Sequence, residues 1–267
     1  MSGTKLYAGE ATLNGIYVHV MAYKNSAHSY GANAMILPIP AKTPLSSENV
    51  IDTRSFKGFL DDIAESTKTQ TLSRGLSKGV PAFDNLAEVF DVGSYTVVLA
   101  ERPEQVPEAL QRVPANKRPV INTIVLASYN QNYPGWPLAV CCWDGAIEAE
   151  PLLWWYEPKD PEILFAPALD AHDGNTPKPH AVAVDHIVCF GSTLTQVNSK
   201  DIRYHDLIPE PARKLLPTRA FGQQLTTKMP NGDFGFFVRN FKDQDPKGIR
   251  FWPGSTEKTG FRLNRWT

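Results

Sequence analysis

The feature that most constrains this chain is the apolar stretch from Pro151 to Ser192. It opens as Leu152-Leu-Trp-Trp-Tyr156 and continues as Ile163-Leu-Phe-Ala-Pro-Ala-Leu-Asp170. After the turn-like His172-Asp-Gly-Asn-Thr-Pro177 it returns as His180-Ala-Val-Ala-Val-Asp-His-Ile-Val-Cys-Phe190. Short apolar runs rich in aromatic and β-branched residues, bounded by Gly, Asn and Pro, are strand signals. The spacing predicts that residues 163–170 and 180–190 pair as neighbouring strands, with a fringe of imidazoles and carboxylates at the loop between them.

The rest of the chain carries the same punctuation. Asn14-Gly15, Asp144-Gly145 and Asn231-Gly232 each lie between strand-like runs and predict three hairpins. Residues 93–100 and 120–128 read as strands, and 34–40, with two prolines, as an edge strand. Phe56, Phe59, Leu60 and Ile63 recur at helical spacing, which predicts a helix over 53–65 with Asp61 and Asp62 facing water. Residues 103–113 predict a second helix that opens near a proline, and 83–90 and 209–216 short ones. Residues 65–80, rich in Ser, Thr, Lys and Gly, read as an exposed mobile loop. Many short strands and few helices, without regular alternation, predict a β-rich α+β fold. Its sheets are mainly antiparallel or form a β-sandwich, with peripheral helices, in one domain over residues 1–267.

Composition removes some functions. Lys plus Arg number 27 against 28 Asp plus Glu, a net charge of −1, so no general attraction to nucleic acid or anionic lipid is expected. No apolar run is long enough for a membrane span, and the first residues lack a signal-peptide core, so no membrane insertion and a cytoplasmic location are expected. The three cysteines, Cys141, Cys142 and Cys189, sit in apolar runs. Neighbouring strand residues face opposite ways, so Cys141 and Cys142 belong to different surroundings, as buried thiols rather than a redox pair.

Three constellations could carry chemistry. His172, His180 and His186, with Asp170 and Asp185, offer imidazole nitrogen and carboxylate oxygen to a divalent metal such as zinc, the ligand set of a metal-dependent hydrolase. The spacing matches no established ligand motif, and the competing reading is loop chemistry with carboxylates on backbone amides. Trp154, Trp155 and Tyr156 must place rings on both faces of one strand. Tyr129, Tyr133 and Trp136 lie in what reads as a loop, where rings could meet a partner or a sugar. No nucleophile elbow and no phosphate-binding glycine motif is present. The surplus of aromatic strand residues, without a catalytic motif, points to a non-enzymatic protein acting through protein–protein contacts or self-association. The metal-dependent hydrolase is the alternative, and a glycan-binding module a third.

Overall fold

The computed structural model describes residues 2–26, 31–67, 87–145, 150–169, 176–177, 181–226, 228–242 and 248–253. Its organising element is the first hairpin. Strand β1 (Ser2–Leu13) turns at Asn14 (φ 48°) and Gly15 (φ 91°) into β2 (Ile16–Ser26), with Leu13 opposite Ile16. Two successive left-handed residues make the turn whose twist matches the flanking strands, and Asn-Gly adopts it at little cost.

In chain order there follow β3 (Ala32–Pro38), β4 (Val50–Ile51), α1 (Phe59–Ser66), β5 (Glu88–Val92) and β6 (Tyr95–Ala100). A helical stretch from Pro103 to Arg112 contains α2 (Val106–Ala109) and leads to α3 (Thr123–Asn132). Then come β7 (Leu138–Asp144), β8 (Leu152–Tyr156), β9 (Ile163–Ala166), β10 (Ala181–Ala183) and β11 (His186–Ser192). The last elements are α4 (Ala212–Leu215), β12 (Ala220–Leu225), β13 (Lys228–Pro230), β14 (Gly232–Phe237) and β15 (Arg250–Pro253).

The strands form a six-stranded sheet in the order β12-β11-β1-β2-β8-β4 and a four-stranded sheet, β3-β7-β6-β5. Smaller sheets are β15-β14-β9 and β10-β13. Every named pairing is antiparallel except β1 with β11. The fold is therefore α+β and β-rich, as the punctuation predicts.

Both large sheets are covered on both faces. Leu6, Met21, Trp154 and Phe190 from the larger sheet share one core with Met35, Val97, Cys141 and Trp143 from the smaller. The far side of the larger sheet, with Tyr7, Val20, Leu153 and Trp155, packs under Phe59, Leu60 and Ile63 of α1 and Leu215 of α4. The far side of the smaller sheet packs Val98, Val140 and Cys142 under Val106, Ala109 and Leu110. Strands buried on both faces read as continuous apolar runs rather than alternations, which explains Leu152 to Tyr156. Cys141 and Cys142 do face opposite cores.

Several local expectations are corrected. Residues 120–128 are not a strand: α3 starts at Thr123, capped by the Asn122 side chain, which accepts the Ile124 amide at 2.9 Å. Ile121 and Leu126 both meet the core beneath the smaller sheet, an apolar clasp across the helix start that overrides the β-branched composition. Residues 88–90 belong to β5, not to a helix. Asp144-Gly145 does not join paired strands, because β7 and β8 lie in different sheets, and Asn231-Gly232 leads from β13 into β14, whose partners are β9 and β15. Asp62 is buried and accepts the His205 amide at 3.0 Å, while Asp61 takes Lys5 at 2.6 Å and Lys24 at 2.9 Å. The expected loop over 65–80 falls from residue 68 onward outside the described residues.

Candidate functional site

The expected metal fringe loses its premise. Strand β9 pairs with β14, β10 with β13, and β11 lies between β1 and β12, so the two apolar ribbons are in different sheets. Asp170, His172 and His180 lie outside the described residues. Asp185 accepts the Gly3 amide on its carboxylate at 3.0 Å and the Thr4 amide on its carbonyl at 3.0 Å, so it fastens the start of β1. His186 stands opposite Thr4 and Leu225, with its ring edge-on to Phe234 at 6.3 Å. Among the described residues, no group of three or more His, Cys, Asp or Glu is placed to hold a metal ion.

The aromatic residues are structural anchors rather than a displayed surface. Trp154 and Tyr156 point into the central core and Trp155 into the opposite one, and all three are buried. The Trp155 indole donates to the Glu48 carbonyl at 3.0 Å. Tyr129 lies on α3, and with Tyr133 and Trp136 it packs around Phe165, the Trp136 and Phe165 rings 5.0 Å apart and edge-on. The segment expected to be a loop is the end of a helix whose rings turn inward. The cysteine thiols are buried and free, and burial pushes Cys142 and Cys189 up to about 12. Neither is a thiolate at neutral pH, as nucleophilic chemistry would need.

A polar row crosses the larger sheet instead. Ser192 on β11 faces Glu10 on β1, Glu10 faces His19 on β2, and His19 faces Tyr156 on β8. All four are buried. The Ser192 hydroxyl donates to Glu10 Oε1 at 2.6 Å and accepts the amides of Leu194 (2.9 Å) and Thr195 (2.6 Å). Tyr17 covers the row: its oxygen lies 3.0 Å from Glu10 Oε2, 3.1 Å from the Pro161 carbonyl and 3.2 Å from His19 Nε2. One hydroxyl proton serves the two acceptors, so the imidazole nitrogen fits as donor to Tyr17. Among the described residues, His19 Nδ1 and the Tyr156 hydroxyl have no hydrogen-bond partner. Burial depresses His19 to about 3, so its ring is neutral. A buried serine held by three hydrogen bonds is not poised for attack. The row is a structural tie. The signal for it is Glu10, a charge on the same strand face as Leu6 and Ala8.

Asp233 is a second buried acid. Its Oδ1 accepts the amides of Ala168 (2.7 Å) and Leu169 (2.9 Å), and its Oδ2 accepts the Tyr133 hydroxyl at 2.5 Å. Burial outweighs these bonds and pushes its carboxyl up to about 6. It fastens the end of the β9 segment to β14 and α3.

A region of the opposite character is the start of α3. Among the described residues, four large hydrophobic side chains are exposed, Val120, Ile124, Leu194 and Leu207, and two of them stand four positions apart here. Val120 is 103% exposed and Ile124 62%. The ten residues of α3 carry no charge, and its outward positions include Asn122, Thr123, Ala127 and Asn130.

No protein-family model and no curated protein matches the chain. Among solved structures it is similar to the crystal structure of baculovirus P35, with a TM-score of 0.43 and 10% identity over 99% of this chain and 97% of that one. A mutated baculovirus P35 after caspase cleavage, at 2.7 Å resolution, gives a TM-score of 0.45 and 10% identity over 89% and 91%. A second such structure, at 3.1 Å, gives 0.42 and 12% over 72% and 67%. Values this low describe a remote likeness of shape and carry nothing about partners or chemistry.

Proposed function

We propose that this protein is a non-catalytic interaction protein that binds a protein partner through the outer face of α3. The observation that carries the reading is the exposure of Val120 and Ile124, four positions apart at the start of a helix without charge, whereas Leu194 and Leu207, the other exposed large apolar side chains among the described residues, stand apart from each other in sequence. The fully buried centre of an interface is depleted of charge and enriched in apolar area, and this face has that composition. Covering each side chain would return about 1.5–3 kcal/mol, enough for the pair to dominate a modest contact.

The buried ionisable groups support the same reading. Glu10, Asp233 and Asp62 each spend their oxygens on hydrogen bonds that tie elements together. The three free, buried thiols support the expected cytoplasmic setting, where cysteines stay reduced.

The test compares the wild-type chain with a Val120→Asp/Ile124→Asp variant, each immobilised and challenged with extract and with itself. The reading expects a protein partner, of either kind, that the variant holds at least about tenfold more weakly. The urea midpoint should stay unchanged. Equal retention of every partner by both chains would reject it.

A further inference from the structure

A separate feature, away from α3, carries a proposal of its own. We propose that His205 is a proton-operated latch: protonation of its imidazole tightens the hold of residues 201–208 on α1, and loss of that proton loosens it.

The geometry is a reciprocal clasp between two segments. Asp206 accepts the amide of Gly58, the residue before α1, at 2.9 Å. Asp62, in the first turn of α1, accepts the His205 amide at 3.0 Å. Each segment thus gives one carboxylate and offers one amide. Asp62 has a second oxygen, and His205 Nδ1 meets it at 2.5 Å. The two sides of that contact have opposite surroundings: the Asp62 side chain is 8% exposed and the imidazole 83%. Water therefore screens the carboxylate poorly, while the ring exchanges protons freely with solvent. Ile202 and Ile208 are buried, and Arg203, His205 and Leu207 between them are exposed, the alternation of an extended chain. Beyond the clasp, the Ile202 amide donates to the Thr218 carbonyl at 2.8 Å and the Tyr204 hydroxyl to the Pro217 carbonyl at 2.7 Å. Asp201 meets Arg219 at 2.6 Å, and Arg213 donates to the Ile208 carbonyl. None of these outer ties depends on His205.

The charges that face the ring are few. Asp62 comes from α1, and Asp206 and Arg203 from the ring's own segment, with Arg203 opposing the two acids. Asp61, next to Asp62, is taken by Lys5 and Lys24. Tyr204 lies beside Asp62 and Tyr7, and burial keeps both phenols neutral. The hydrogen bond to Asp62, and then its charge, hold the imidazole above its ordinary pKa. A neutral ring keeps the bond by carrying its one proton on Nδ1, but it loses the ionic part. The folded value is raised above the unfolded one of about 6.5. The contribution of the latch is therefore complete below pH ~6.5 and is lost as pH rises through the folded value.

Nuclear magnetic resonance of the full chain tests this on the ring and on the amides of the clasp. The titration midpoint of His205 should lie above ~6.5 and fall back toward it in Asp62→Asn. Exchange of the Gly58 and His205 amides, corrected for the intrinsic effect of pH, should speed up severalfold between pH ~6 and ~8.5, whereas that of Val98 in the smaller sheet should not. His205→Asn can still donate to Asp62 but cannot titrate, so it should abolish the acceleration while Val98 stays protected. A wild-type midpoint at or below ~6.5 overturns the proposal. So does clasp exchange that ignores pH, or an acceleration that survives in His205→Asn.

Discussion

The row from Ser192 to Tyr156 hides polar side chains beneath apolar ones, whereas the start of α3 leaves Val120 and Ile124 in water. Burying a polar group is costly unless its hydrogen bonds are replaced, and the row replaces most of them: Glu10 is held by Ser192 and Tyr17, and Ser192 by two amides. Exposing an apolar group forgoes stability that packing would supply, and nothing within the described residues covers Val120. The first region acts through stability. The second does nothing for the lone chain and acquires a use when something covers it.

That contrast orders the expected effects. Truncating a buried ring comes first. Trp154→Ala should lower the unfolding free energy by about 3–5 kcal/mol in a urea titration, because Trp154 fills the core between the two sheets. Glu10→Leu should follow. It strands the Ser192 hydroxyl proton at roughly 1–3 kcal/mol, partly offset by the added apolar surface, while Tyr17 keeps the Pro161 carbonyl. An unchanged midpoint would show that the row ties nothing.

Acid separates the two buried titrating groups by sign. His19 has a folded pKa of about 3, below its unfolded value, so its contribution is present above pH ~6.5 and is lost as pH falls toward 3. Asp233 has a folded pKa of about 6, raised above its unfolded value. Its contribution is present below pH ~4 and is lost as pH rises through 6. In chemical unfolding at stepped pH, His19→Phe should therefore flatten the acid limb between pH ~6.5 and 3. Asp233→Asn should remove a gain that the wild type shows between pH ~6 and 4. Variants that track the wild type in parallel would contradict both assignments.

The smallest effect on folding belongs to α3. Ile124→Asp should shift unfolding by no more than about 0.5 kcal/mol, since an exposed side chain has little packing to lose. A large loss would mean that this face is already covered within the chain.

How much of this could be read in advance depends on how local each cause is. The Asn14-Gly15 hairpin and the proline-bearing edge strand β3 follow from neighbours within a few positions, and so does the helix face of Phe59, Leu60 and Ile63, although the helix starts at Phe59 rather than near 53 and Phe56 joins the same core from the turn before it. Asp144-Gly145 and Asn231-Gly232 show that the chain turns, but not which strand it meets afterwards. The run of β-branched residues after Val120 argued for a strand, until the Asn122 cap and the inward pull of Leu126 decided for a helix. The inferred histidine site rested on pairing residues 163–170 with 180–190, yet β11 finds its partner in β1, at the far end of the sequence. Only that long-range register brings Ser192 to Glu10. Glu10 alone, a charge on an apolar strand face, was visible as a sign of it.

The central claim, that α3 presents an apolar face that another chain covers, is tested most directly by thiol labelling of an Ile124→Cys variant. The native thiols are buried and raised well above neutral pH, so the introduced one should react almost alone. Its alkylation rate should fall severalfold as the protein is concentrated, or when a partner retained by the wild-type chain is added in excess. A rate that does not change with concentration, or with any added partner, would contradict it.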